Sequence, residues 1–435
     1  MVRVRSAVFV VLAISTGCSV RAPATVMQPV EAGCTPMPDA TPASVGIAAA
    51  TIDSIQRAAV ALKTDALVIV RDGKVVHDWR DPTFRDTVWN PQSVTKAVAS
   101  LGVALLVDDG RIASFDLPLR ELFPEFTAPD KAPVTLRMLM THTSGIAAGR
   151  GEGQFRGVSD VGAWARARPM GEPAGTVFRY NNVGAQLVSH VVQARAGMPL
   201  AQLVGARIMR PLCIGYWGWD TAPGGATWSY SRLRIRARDL AAIGQLVADT
   251  GVWRGRRLIA AATLDSLTHR TGARGLPLSA ASYGLTWQWV GADSVRVDAS
   301  LFERLAAAGA PDTLVAGVRR LAGAAGSASM TTARFKAALD TLYGTSSRDS
   351  TMIRWYRETR GAADPERWRG PAQVVYNSGS WGQWLLIFPE TRTVVVRYAS
   401  WNHAGRRGEN DADGWSSIYA DLYRLIGTTR SAPRR

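Results

Sequence analysis

Apolar residues run almost unbroken from Val94 to Val107, with no proline and a single glycine at Gly102, and Asp108-Asp109-Gly110 ends the run. A stretch of that length, apolar on every side, predicts a buried helix rather than a strand. Upstream, Ile52, Ile55, Ala58, Ala59 and Leu62 recur at helical spacing and predict a first helix beginning near Thr51. Ala66–Val70 and Lys74–Trp79 flank Asp72-Gly73, a hairpin signal because glycine tolerates the positive φ of a tight turn. Downstream, Val134 to Gly145 reads as a short helix capped by a polar turn, in which His142 is expected to bond nearby backbone. Asn182 is expected to cap a helix running to Ala196 and ended by Gly197. Ala237 to Asp249 forms an amphipathic pattern with Leu240, Ile243, Leu246 and Val247 facing inward.

Tyr283 to Trp289 reads as a returning strand, followed by short helical patterns at Leu301–Ala308 and Thr332–Leu342. A second hairpin joins Gln383–Phe388 to Thr393–Ala399, and a closing helix from Gly414 to Ile426 places Trp415, Ile418, Tyr419, Leu422 and Leu425 on one face. The order helix, two strands, many helices, strands, helix predicts an α/β (α+β) fold. Its antiparallel β-sheet is built from both chain ends and flanked by helices, with an all-helical domain inserted in the middle. The expected boundaries are a signal peptide at 1–18, a linker at 19–45, an α/β domain formed by 46–97 and 280–435, and a helical domain at 98–279. A further helical insertion is expected at about 292–370.

Composition adds a compartment. Arg3 and Arg5 precede the apolar run Ala7–Ile14, small residues follow, and Cys18 comes next, the order of a secretory signal. Ile14-Ser15-Thr16-Gly17-Cys18 resembles a bacterial lipobox, with Ser15 where that pattern has leucine. Membrane anchoring through an acylated Cys18 and ordinary cleavage nearby are both open, so the expected location is the periplasm or the outer membrane. The formal charge of +16 comes mostly from arginine, since the lysines are Lys63, Lys74, Lys96, Lys131 and Lys336 alone. No nucleic-acid motif accompanies these arginines, and no nucleic-acid partner is expected. Cys34 and Cys213 either pair in an oxidising compartment or stand as one buried and one linker thiol. The five histidines are dispersed without metal-ligand spacing, and neither a metal nor a cofactor is expected.

The candidate chemistry starts at Ser93 and Lys96, three residues apart at the head of the apolar helix. Residues at that spacing share a helix face, so the hydroxyl and the amine can meet. A buried lysine loses solvation, which lowers its pKa, and its neutral amine can take the serine proton. A lone Ser-x-x-Lys spacing also arises by chance and needs support elsewhere.

Three separated stretches supply that support. Ser93-Val94-Thr95-Lys96, Tyr180-Asn181-Asn182 and Asn377-Ser378-Gly379 resemble, in order and approximate spacing, the three motifs of the serine β-lactamase and penicillin-binding-protein superfamily. The resemblance is strongest to class C-type esterases, amidases and 6-aminohexanoate-dimer hydrolases. Thr135 through Gly145, Arg238-Asp239-Leu240 with Gly251-Val252-Trp253, and Gly382-Gln383 resemble further family segments. Together they cover about residues 45–290 and 370–428.

The resemblance implies that Ser93 attacks a carbonyl carbon and carries the acyl group. It implies that Lys96 and Tyr180 handle the serine proton, and that Asn182 orients Lys96 and the substrate amide. Without it, Tyr180 and Asn182 read as a core phenol and a helix cap. The backbone N–H groups of Ser93 and Ser380 are the implied oxyanion donors. Gly379 and Gly382 suit close approach of substrate to backbone, and Trp381 is expected beside the pocket. The family commonly has lysine or histidine where this chain has the neutral Asn377, which favours esters or uncharged amides over penicillins or D-Ala-D-Ala termini. The implied protein is a serine hydrolase acting on a small-molecule ester or amide. A β-lactamase or D-alanyl-D-alanine carboxypeptidase is the alternative within the family, and a penicillin-recognising binding protein with little turnover is the alternative of another class.

Overall fold

A computed structural model describes residues 26–84, 88–149, 152–268, 284–291, 294–307, 309–343, 367–368 and 372–400. The expected signal peptide, Cys18 and the closing helix lie outside the described residues. The chain enters through β1 (Val26–Met27), forms α1 (Ala49–Ala61), and turns through the hairpin β2 (Ala66–Arg71) and β3 (Lys74–Arg80). Asp72 and Gly73 both have positive φ in the connecting turn, the geometry that matches the twist of the two strands. The helical stretch α2 (Thr95–Asp108) follows, then α3 (Leu136–Met140), α4 (Val161–Ala167), α5 (Asn182–Ala196) and α6 (Leu200–Val204). β4 (Tyr216–Trp219) and β5 (Leu233–Ile235) lead to α7 (Ala237–Ala248), the small hairpin β6 (Val252–Trp253) and β7 (Arg256–Arg257), and α8 (Ala261–Thr268).

The second half holds β8 (Gln288–Gly291), β9 (Ser294–Val297), α9 (Ala299–Ala307), α10 (Asp312–Leu321), β10 (Ala328–Thr331), α11 (Thr332–Tyr343), β11 (Arg367–Trp368), β12 (Ala372–Gly379), β13 (Gln383–Phe388) and β14 (Thr393–Tyr398). Six strands form one antiparallel sheet in the order β3-β2-β14-β13-β12-β8, so the first and last hairpins meet at β2 and β14, with Val70 opposite Val394. Both faces of this sheet are covered. Val68, Val70, Leu385, Ile387, Val394 and Val396 join the main core with α2 and α7. Leu67, Ile69, Leu386, Phe388 and Val395 meet Ile52, Ile55 and Ala59 of α1 on the other side. Strands buried on both faces read as mostly apolar runs, which is how β2, β13 and β14 read in the sequence, whereas the edge strand β3 mixes buried Val75 and Val76 with exposed polar residues. α7 lies close against the sheet because Gly244 has no side chain: a Cβ there would stand 2.6 Å from Val394 Cγ1.

α2 runs through the centre of the molecule, buried from Thr95 to Leu106. Gly102 lets α6 approach it, since a Cβ at that position would meet Leu200 Cδ1 at 2.5 Å. Three details differ from the sequence reading. Residues 98–279 carry the short strands β4 to β7 among their helices, helped by the β-prone Tyr216-Trp217-Gly218-Trp219 run. The strand expected from Tyr283 starts only at Gln288, because Gly284 donates to the Trp287 carbonyl and Thr286 adopts φ +72°, turning the chain first. The insertion after 292 is not purely helical: α9, α10 and α11 pack with a three-stranded sheet, order β10-β9-β11, around Val297, Leu301, Leu305, Leu314, Phe335 and Leu339.

Cys34 and Cys213 are bridged, with Cα atoms 5.8 Å apart. The bridge fastens the segment after β1, which then runs to the open edge of β3, where Ala40 N–H donates to Val75 O and Val75 N–H to Pro38 O.

Candidate active site

The approach to α2 is a braced turn. Trp89 and Ile235 exchange both backbone hydrogen bonds at 3.1 Å, tying the turn to β5. Asn90 Oδ1 accepts from Gln92 N–H at 2.9 Å and from Arg232 N–H at 3.1 Å, so one side chain fixes both the turn and the loop opposite it. Gln92 has φ +51°, and Gln92–Val94 form a single 3-10 turn that leads into α2. Ser93 sits on this turn, and Lys96 on the first turn of the helix.

The ammonium of Lys96, only 2% exposed, donates to Ser93 Oγ at 2.9 Å, to Tyr180 OH at 2.7 Å and to the Tyr230 carbonyl at 3.1 Å. Those three acceptors match the three N–H bonds of an ammonium. Tyr180 OH in turn donates to Ser93 Oγ at 2.7 Å, closing a triangle of hydroxyl, amine and phenol. The Lys96 nitrogen also stands 4.8 Å from the Tyr180 ring centre and 5.4 Å from that of Tyr230, so both aromatic faces add attraction for its charge.

Tyr180 is 44% exposed, at the rim of the site, yet its backbone is held from both sides. Asn181, not Asn182, caps α5: its Oδ1 accepts from Val183 N–H and Gly184 N–H, while its Nδ2 donates to the Ile146 carbonyl. A capping residue has extended φ and ψ, and Asn181 has them, whereas Asn182 is already the first helical residue. His142 Nδ1 accepts the Asn181 N–H at 3.1 Å, the backbone bond expected of it, and the imidazole packs on the Tyr180 ring with centroids 4.4 Å apart. Burial, then the nearby Lys96 charge, lower the His142 pKa to about 3, so the ring is neutral. Asn182 Oδ1 is buried without a hydrogen-bond partner among the described residues, so the bond expected from Lys96 goes to the Tyr230 carbonyl instead.

The end of β12 forms the opposite wall. A Cβ on Gly379 would contact the Pro91 carbonyl and stand 2.8 Å from Gln92 Cβ, so only glycine lets this strand abut the Ser93 turn. Ser380, Trp381 and Gly382 make the turn into β13, with φ +66° at Trp381 and +81° at Gly382. The buried Arg397 fixes that turn by donating to the Gly382 carbonyl at 2.7 Å. Asn377 lies behind the wall, 2% exposed, with its Nδ2 donating to the Thr286 carbonyl, while Thr286 Oγ1 donates to the Lys96 carbonyl at 3.2 Å. Trp217, Trp219 and Trp228 are core residues, and Trp384 packs on Tyr376.

Sequence reading named Ser93, Lys96 and Tyr180, and the fold brings these three together. It missed Asn90, Tyr230 and the grip of His142 on Tyr180. Asn90-Pro91 is an Asx-turn signal that could have been read; the Tyr230 carbonyl is a backbone atom with no side-chain signature.

Residues 52–419 match the family model named Beta-lactamase. The chain is 32% identical over 162 residues to esterase EstB of Burkholderia gladioli, a match that spans 41% of that esterase. A protein described as a 6-aminohexanoate-dimer hydrolase from Bacillus anthracis superposes with a TM-score of 0.61 at 16% identity, covering 93% of this chain and 92% of that one. A family VIII carboxylesterase gives 0.54 at 15% identity, covering 87% of this chain and 98% of the other.

Proposed function

The chain belongs to the beta-lactamase family of serine hydrolases, and we propose that it cleaves an ester or amide bond through a covalent acyl-enzyme on Ser93. The observation that carries this reading is the closed triangle of Ser93 Oγ, Lys96 Nζ and Tyr180 OH, each pair within 2.9 Å. The reactive form of the Lys96–Tyr180 pair has one proton fewer, a phenolate beside the ammonium or a neutral amine beside the phenol. It takes the Ser93 proton as Oγ bonds to the carbonyl carbon, and gives that proton to the alcohol or amine as its bond to the carbonyl carbon breaks. Water then enters, gives one proton to the same pair and bonds to the acyl carbon; the acyl–Oγ bond breaks, the carboxylic acid leaves, and the pair returns the proton to Ser93. Backbone N–H groups of Ser93 and Ser380 receive the oxyanion, and the contact of Gly379 with the Pro91-Gln92 turn supports their facing one cleft. Asn182 contributes a carboxamide to the substrate, Trp381 an aromatic wall, and Asn377 acts through the Thr286 carbonyl rather than by direct contact.

Esters come first among substrates: Asn377 is neutral and already bonded, and the chain resembles an esterase over part of its length. We infer also that the protein is exported to the periplasm or the outer membrane; the Cys34–Cys213 bridge supports an oxidising compartment.

Fluorophosphonate labelling of wild type and Ser93→Ala tests the nucleophile, and release of a fluorescent penicillin over time tests turnover. Label retained in Ser93→Ala would sink the nucleophile, and penicillin held without release, with no ester hydrolysed, would make the protein a receptor. Hydrolysis of p-nitrophenyl esters, nitrocefin and a D-Ala-D-Ala peptide should rank in that order; rapid turnover of nitrocefin alone would make it a β-lactamase.

A further inference from the structure

Four arginines alternate along the strand into α7: Arg232, Arg234, Arg236 and Arg238. Three are neutralised. Arg234 pairs with Asp220 at 2.6 Å, Arg236 with Asp239 at 2.6 Å, and Arg238 with Asp39 at 2.8 Å. Arg232 has no carboxylate partner among the described residues, and its Nε is buried without a hydrogen bond. Its guanidinium lies against the Trp228 ring at 5.0 Å.

The position of this cation matters. Arg232 follows by two residues Tyr230, whose carbonyl accepts from Lys96, and its own N–H is held by Asn90, which also shapes the Ser93 turn. It has φ +71°, a left-handed backbone that strains an arginine relative to glycine. Strain, an unmet buried N–H and an unneutralised charge thus fall on one residue whose backbone is fastened to the candidate catalytic machinery. Each is unfavourable for folding alone, and observed strain of this kind points to function. Stacking on Trp228 pre-orders the guanidinium, leaving its fork of N–H groups little to lose on meeting a planar anion.

We propose that Arg232 recognises a carboxylate on the substrate, so that the preferred ester or amide is anionic. The inference rests on the acyl-enzyme reading and narrows it. It places the substrate-binding charge on the β5 side of the site, opposite the strand where Asn377 offers none.

The test compares mono(4-nitrophenyl) glutarate with 4-nitrophenyl pentanoate, which have the same chain length with and without a terminal carboxylate. The ratio of their kcat/KM values should fall roughly 10- to 100-fold in Arg232→Gln and Arg232→Gly, the range of a lost charge-assisted hydrogen bond, and should be partly kept in Arg232→Lys. Arg232→Gly should melt no lower than wild type, since glycine relieves the positive φ, which separates lost recognition from lost folding. A ratio unchanged in both variants overturns the proposal and leaves Arg232 a prop for Trp228. Calorimetry of monomethyl glutarate with Ser93→Ala and with Ser93→Ala/Arg232→Gln provides a readout without turnover. Equal binding overturns the Arg232 site. Binding that needs Arg232, in an enzyme whose wild type shows no Ser93-dependent hydrolysis, keeps the site and defeats the acyl-enzyme reading instead.

Discussion

His142 grips the backbone on both sides of Tyr180: its carbonyl accepts Arg179 N–H at 2.8 Å, its Nδ1 accepts Asn181 N–H at 3.1 Å, and its ring covers the phenol between them. Replacing it with alanine removes the acceptor and the ring support together. In His142→Ala, kcat should fall roughly tenfold or more through misplacement of the phenol, with a smaller change in KM, as steady-state kinetics on a neutral ester would show. His142→Asn, which keeps an acceptor near Asn181, should recover part of the loss.

The same residue makes stability depend on pH. Its folded pKa of about 3 lies below the unfolded value of 6.5, so the unfolded chain binds the proton first as pH falls. The contribution is fully present above pH 6.5 and is lost from there down to about pH 3, at about 1.4 kcal/mol per pH unit. Urea unfolding at pH 7, 6, 5 and 4 should show this slope in wild type, and a shallower one in His142→Gln.

Tyr180→Phe deletes one oxygen from a side chain that is already partly in solvent. kcat should drop roughly 10²- to 10⁴-fold, the usual range for loss of a general acid–base, while Tm stays close to wild type. A comparable fall in Tm would mean that the phenol serves the fold rather than the reaction.

Two glycines separate stability from chemistry. Gly244→Ala gains about 1 kcal/mol in helix propensity, but its methyl enters Val394 and Leu385, so overpacking of roughly 1–3 kcal/mol should win and lower Tm without lowering kcat. Gly379→Ala pushes the β12 wall off the Pro91-Gln92 turn and should cost roughly 100-fold in kcat/KM, since a displacement near 1 Å is enough.

Reducing the Cys34–Cys213 bridge opens a loop closed by cysteines 179 positions apart, and stability should fall by roughly 2–5 kcal/mol. The bridge lies at the chain's entry, away from the Ser93 turn, so kcat measured on folded Cys34→Ser/Cys213→Ser protein should match wild type.

The two hairpins and α2 were legible because their signals are local: Asp72-Gly73 for one turn, and an apolar run too long for a strand. The triangle was legible only through three motifs taken together, since no periodicity links Ser93 to Tyr180 across 87 positions. The capping shift from Asn182 to Asn181 escaped because two asparagines stand side by side and their backbone angles decide which one caps. The small sheet β10-β9-β11 escaped because its strands are short and paired across more than thirty residues. Arg232 escaped because one unpaired arginine looks like its three paired neighbours until their partners fold into place.

The pairing of β2 with β14 sets an order of events for a chain made from its first residue to its last. Ser93 and Lys96 arrive early, on a helix that forms locally. The wall that faces them waits for Gly379, and the sheet cannot close until Thr393–Tyr398 reaches β2. Contacts that distant in sequence form late. The emerging chain therefore holds the Ser93 hydroxyl and the Lys96 amine without the β12 wall, and the cleft between them closes only once nearly the whole protein has been made.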